Sequence, residues 1–153
     1  MSAIFKKLNL KDQAEIVVLD APSSFESELK TLTGVTIRRK LSEAKSPGFV
    51  LAFGTRQKQV EAFARAIATK TAGDAVVWFA YPKGSSKRYV CEFNRDSGWA
   101  SIGAAGFEPV RQVAIDEDWS ALRFRRVEHI KTLTRSRLDA ISAEGRRRIK
   151  GKP

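Results

Sequence analysis

The sequence contains one cysteine and one histidine in 153 residues. A lone Cys91 cannot close an internal disulfide, and with His129 as the only other soft ligand a structural zinc site cannot be assembled. No window approaches the roughly 18 consecutive apolar residues of a membrane-spanning helix. The N-terminus, "MSAIFKKLNLKDQ", lacks the apolar run and small-residue cleavage site of a secretory signal, so a cytosolic protein is expected. No Gly-rich turn follows the first candidate strand, which runs into "DAPSSF". S-adenosylmethionine or a dinucleotide needs close backbone approach at that turn, and Pro22 removes a donor besides. Neither a cofactor nor a metal is expected.

What is present belongs to a folded chain. Apolar residues make up 42% and charged residues 29%, close to the globular average, and the length suits one domain with one core. The net charge of +11 is unevenly spread. From Arg123 onward eleven Lys or Arg face only Glu128, Asp139 and Glu144, whereas the preceding 122 residues hold seventeen bases and fourteen acids. The sequence therefore divides into an α/β domain over 1–126 and a basic, helical or flexible tail over 127–153.

Local patterns alternate strand with helix. "EIVVLD" over 15–20 is a β-branched strand. The following "APSSFESELKTLTG" places Ser23 and Glu26 at capping-box spacing and Phe25, Leu29 and Leu32 on one helical face. "VTIRR" and "GFVLAFG" read as strands. Thr55 is the expected cap of a helix whose apolar stripe is Val60, Phe63, Ala64 and Ile67. "DAVVWFAY" is apolar on both faces, as in covered parallel sheets. A short helix is expected over "DSGWASIGAAG", capped by Asp96 or Ser97 with Trp99 and Ile102 inward. "EPVRQVAID" and "WSALRFRRV", joined by Glu117 and Asp118, can only pair antiparallel. The sum is a small open, mostly parallel α/β sheet of five or six strands, flanked by helices, with its last strand antiparallel. It looks like the back half of a Rossmann-type methyltransferase sheet with a shortened front half, an analogy of fold that licenses no function.

"LNLKDQAEIVVLDAPSSF", "FVLAF", "VWFAYPKGSSK" with Arg95, and "VAIDEDWSALRFRR" together resemble a family of small bacterial proteins classed as a domain of unknown function. That family carries a Trp-Pro-Lys or Tyr-Pro-Lys strand end and a closing Ala-Ile-Asp…Trp-Ser hairpin. The resemblance spans 8–126 and implies the fold, with no catalytic residue. This chain departs from the family in having Tyr81 for the commoner Trp, and in its basic extension.

Ligands of open α/β sheets bind beyond the carboxyl ends of the parallel strands, so the residues after each strand are the candidates. Lys83, the Gly84 to Ser86 backbone amides, the Ser85 and Ser86 hydroxyls, and Arg56 at a helix start could make an anion site. Asp20 or Asp116 would supply an acid if the edge were enzymatic. The competing reading of Pro82 to Ser86 is a polar turn. Asp116, Glu117 and Asp118 in a tight turn diverge, which suits a solvated hairpin better than a metal or acid-base pair, and Asp116 could pair with Arg95, Lys83 or Arg123. Cys91 has no base beside it and reads as a packed thiol. Trp78, Trp99 and Trp119 suit the core or a site rim.

In the tail, a helix is expected over 127–143, and Arg146, Arg147, Arg148, Lys150 and Lys152 could bind nucleic acid or another polyanion by counterion release, without sequence choice. A solvated basic tail is the alternative. The leading expectation is a non-enzymatic binding module with nonspecific nucleic-acid or anion affinity through its tail. The rivals are a small-ligand or phosphate-substrate enzyme at the strand-end edge and a protein-interaction scaffold.

Overall fold

The computed structural model describes residues 2–130. The expected tail helix over 127–143 lies beyond these residues from 131 onward, as do Arg146, Arg147, Arg148, Lys150 and Lys152.

The elements follow the order α1 (Ala3–Lys7), β1 (Glu15–Leu19), α2 (Glu26–Leu29), β2 (Thr36–Arg38), β3 (Phe49–Phe53), α3 (Gln57–Lys70), β4 (Val76–Pro82), α4 (Ala100–Ala104), β5 (Phe107–Ala114) and β6 (Trp119–Arg126). The strands form one sheet in the order β2-β1-β3-β4-β6-β5. β2, β1, β3 and β4 are parallel neighbours, and β6 is antiparallel to both β4 and β5. β5 therefore runs with the parallel strands, and the last strand alone is reversed, as its short connection requires. No described helix is long and apolar enough to cross a membrane.

Alternation sorts the strand side chains between two cores, because successive residues of a strand point to opposite faces. Leu51, Phe53, Trp78, Ala80, Trp119 and Ala121 share the first face with Phe5, Leu8, Phe25 and Leu29. Val50, Ala52, Val77, Phe79, Tyr81, Leu122 and Phe124 share the second with Val60, Phe63, Ala64 and Ile67 of α3 and Ile102 of α4. Runs that are apolar throughout are thus strands covered on both sides. α1 adds a short helix whose end is tied to the sheet, because the Trp78 indole nitrogen donates to the Leu8 carbonyl at 2.8 Å.

Three helix starts differ from expectation. Ser23 and Glu26 form no capping box: Ser23–Phe25 is a 3-10 turn entered through Pro22, and α2 keeps only four residues. Asp20, at φ +56°, turns the chain sharply out of β1. Phe25 then enters the first core beside Phe5 and Phe53 at centroid distances of 5.7 and 5.0 Å. Burying a side chain of that size is favourable by about 1.5–3 kcal/mol, more than the ~1 kcal/mol that a side-chain cap supplies. Arg56, not Thr55, is the N-cap of α3, and the Gln59 carbonyl oxygen accepts from both the Thr55 and Arg56 amides at 2.9 Å. Trp99, not Asp96 or Ser97, occupies the cap position of α4, with no side-chain cap bond.

Candidate ligand-binding site

The register brings the expected edge together. Leu19 of β1 pairs with Ala52, Phe53 with Ala80, and Pro82 with Trp119, so Asp20, Gly54, Lys83 and the β5–β6 turn all follow strand ends on one rim. Along that rim the residues separate into different hollows.

A hollow of about 600 Å³ lies between the end of β4, the loop that follows it, and β5–β6. Its lining includes Tyr81, Lys83, Cys91, Arg95, Gln112 and Ser120. Tyr81, Ser120 and Gln112 come from three adjacent strands, and alternation directs them to the second face. The Gln112 side-chain nitrogen donates to the Tyr81 hydroxyl at 3.1 Å and to the Ser120 hydroxyl at 3.0 Å. Tyr81 and Ser120 are both buried. Burial raises the Tyr81 pKa above the ordinary phenol value, against a smaller opposing effect of Ser120. The phenol thus stays protonated at neutral pH, a donor and acceptor at a cavity wall.

The loop roof is built by the same alternation that the sequence shows. Phe93 is buried, Tyr89 and Cys91 are half-buried, and Val90 is 92% exposed, although the segment makes no strand. Phe93 packs on Trp99 at 5.0 Å and Tyr89 on Trp119 at 4.9 Å. Asp118 fastens the near end of the loop. Its backbone carbonyl accepts from the Lys83 amide at 2.8 Å, and its carboxylate accepts from the Ser86 hydroxyl at 2.8 Å. Ser86 in turn accepts from the Arg88 and Tyr89 amides at 3.2 Å. Pro82 to Ser86 is therefore a turn with Ser86 at its hub, while Lys83 borders the cavity and Ser85 is exposed.

Arg56 lines a different hollow, with Gln57, Lys58, Glu61 and Glu92. At the start of α3 the Glu92 carboxylate accepts from the Gln57 amide at 3.3 Å. That helix start thus already faces an internal anion, which complements its partial positive charge. Asp20 borders a third, smaller hollow of about 240 Å³ beside α3. Asp116 turns inward on its own hairpin, accepting from the Asp118 and Trp119 amides at 2.8 Å. Its carboxylate makes none of the three ion pairs considered for it among the described ion pairs.

Burial pushes the Cys91 thiol up, and the Glu92 charge adds to the effect, which keeps the sulfur protonated. No group of three His, Cys, Asp or Glu side chains among the described residues could hold a metal ion. The three tryptophans are buried in the core rather than set on a rim.

The end of β1 does not fit S-adenosylmethionine or a dinucleotide. Asp20 to Ser24 supplies no glycine for close approach, α2 is a single turn, and Phe25 and Phe53 fill the first face beside it. A side chain at Gly54 would meet the Phe79 ring at 2.7 Å, so that glycine serves ring packing.

No family model matches the chain, and no curated protein matches it. Among solved structures it is similar to the N-methyltransferase NodS from Bradyrhizobium japonicum WM9, with a TM-score of 0.50, 12% identity, and coverage of 80% of this chain and 92% of that one. It is also similar to the fibrillarin pre-rRNA processing protein of Methanococcus jannaschii, with a TM-score of 0.50, 9% identity, and coverage of 76% and 67%. At such identities the likeness is one of fold. The chain has a methyltransferase-like Rossmann fold.

Sequence reading missed Tyr81, Gln112 and Ser120 as one site, and Asp118 as the residue that fastens the loop beside it. The signal was faint and one-sided: Ser120 is a polar residue between buried Trp119 and Ala121 of β6, whereas Gln112 lies in an exposed run of β5.

Proposed function

We propose that this domain binds a small, anion-bearing ligand in the cavity between β4, the loop after it and the β5–β6 hairpin. The observation that carries the reading is the hydrogen-bonded trio of Tyr81, Gln112 and Ser120 on the wall of a cavity that Lys83 and Arg95 also line. A volume of about 600 Å³ lies within the roughly 300–1,000 Å³ of small-molecule sites. The two cations suit a phosphate or carboxylate, the trio suits a hydroxyl or carbonyl, and Tyr89, Val90 and Phe93 add apolar wall. Among the described residues no nucleophile with an activating base lines the cavity, so the reading is of binding rather than of a named reaction. The resemblance over 8–126 adds no catalytic residue to it.

Thermal-shift titration with inorganic phosphate, ribose 5-phosphate and adenosine monophosphate tests the proposal. A ligand at 100 times its Kd stabilises by about 2.7 kcal/mol. Stabilisation by at least one probe, lost in Lys83→Ala and reduced in Tyr81→Phe, is expected. No stabilisation by any probe, or a shift that both variants retain, rejects it.

A further inference from the structure

The first face of the sheet changes character along β6. Trp119 and Ala121 are core residues, and the same alternation then presents Arg123 and Arg125. On the neighbouring strand Arg111 pairs in register with Arg123. Like charges directly opposite on a sheet are destabilising, so this juxtaposition calls for a compensating anion. Arg125 has one: its guanidinium grips Asp74 at 2.7 and 2.6 Å. Buried Glu108 pairs in register with Arg125, two residues from Arg123. Arg111 and Arg123 make no ion pair among the described residues. Arg111 is exposed, and the half-buried Arg123 carries a buried Nε with no hydrogen-bond partner. Burial and the charges of Arg125 and Arg111 weaken proton binding by the Arg123 guanidinium, against the pull of Asp74.

The geometry points to the Arg111–Arg123 face as a contact for the phosphate backbone of nucleic acid. Arg111 and Arg123 are register partners next to a bulge at Pro109–Arg111, and the Cα atoms of opposed antiparallel residues lie about 4.5–5.5 Å apart, which roots two guanidinium side chains at one place on the sheet. A guanidinium holds phosphate oxygens in pairs, and a nucleic acid offers one charge per about 3.4 Å of rise in each strand, so neighbouring forks each meet a phosphate. An acidic peptide presents carboxylates only where its sequence places them. The sequence that continues from β6, 127–153, adds eight Lys or Arg against three acids, so the charge complementarity extends along the chain. This surface lies on the first face and is separate from the cavity lined by Tyr81.

Fluorescence anisotropy of the full chain with a labelled duplex of about twenty base pairs, at about 50 to 200 mM salt, tests the inference. Arg111→Gln with Arg123→Gln is expected to weaken binding and to lower the slope of log K against log salt by about 0.9 for each phosphate that is no longer neutralised. Arg111→Lys with Arg123→Lys should restore most of the slope. A thermal melt checks folding, and if the double variant unfolds, Arg111→Gln alone, at an exposed position, should lower the slope by about 0.9. Absence of duplex binding by the wild-type chain, an unchanged slope in the Gln variants, or tighter binding of polyglutamate than of the duplex would overturn it.

Discussion

The Gln112 side chain, on the outermost strand of the described sheet, reaches across β6 to donate to the Tyr81 hydroxyl of β4 at 3.1 Å. The bond ties the late hairpin to the parallel strands at the cavity wall. Tyr81→Phe keeps the ring contacts with Trp99 and Phe93, at 5.5 and 6.0 Å, and removes the oxygen. Stability should fall by about 0.5–1.5 kcal/mol, the net worth of one such bond, measured by urea denaturation.

The same hydroxyl gives a pH signature. Its pKa in the fold is raised above 10.0, chiefly by burial. The fold therefore holds a proton that the unfolded chain releases, so the contribution is fully present below pH 10 and lost as pH rises through the folded-state value. Wild type should lose stability more steeply than Tyr81→Phe above pH 10, read from Tm against pH. Parallel curves would remove Tyr81 as the cause.

Asp74 works in the opposite sense. The bond from Arg125 holds its carboxyl below the ordinary 3.8, outweighing a smaller effect of burial. Its stabilisation is present above that value and lost as pH falls through the depressed one. Both side chains are about a third exposed, at 37% for Asp74 and 34% for Arg125, so solvent screening limits the pair to about 0.5–1 kcal/mol. Asp74→Asn should cost about that much at neutral pH and less in high salt, in denaturant titrations at two ionic strengths.

Arg126 closes the end of α3. Its guanidinium donates to the Thr71 and Gly73 carbonyls at 2.8 and 3.0 Å and lies 4.8 Å from the Phe107 ring centroid. Arg126→Ala leaves helix-end carbonyls without their donor and should cost about 1.5–3 kcal/mol. A midpoint within error of wild type would contradict this.

Two glycines on the same rim should behave differently. Gly54→Ala drives a methyl group toward the Phe79 ring and should cost about 1–3 kcal/mol. At Gly84 a Cβ meets nothing within 4 Å, so Gly84→Ala should be neutral or stabilising by up to about 1 kcal/mol. Paired thermal melts compare them.

The strands were legible because their evidence is local. "FVLAF" and "VVWFAY" are short, rich in β-branched and aromatic residues and apolar at every position, as suits a strand covered on both faces, and Val60, Phe63, Ala64 and Ile67 mark the buried stripe of α3. The capping box at Ser23 was a local pattern overruled by a distant partner, since Phe25 had to reach Phe53. The rim was also legible, as the set of residues after each strand. Its division was not: Arg56 lines one hollow with Glu92 and Lys83 another with Arg95, through a loop path that no spacing encodes.

By itself the sequence determined which segments are strands, that the closing pair is antiparallel, and that charge gathers toward the C-terminus. Those properties follow from periodicity, connection length and composition, each a property of neighbours in the chain. The tertiary structure alone decided that β6 enters between β4 and β5, and with it that Gln112, Ser120 and Tyr81 meet and that Arg111 faces Arg123. Strand order depends on how all the apolar faces are covered at once, so Gln112 and Tyr81, 31 positions apart, become hydrogen-bonded partners only when the whole sheet closes.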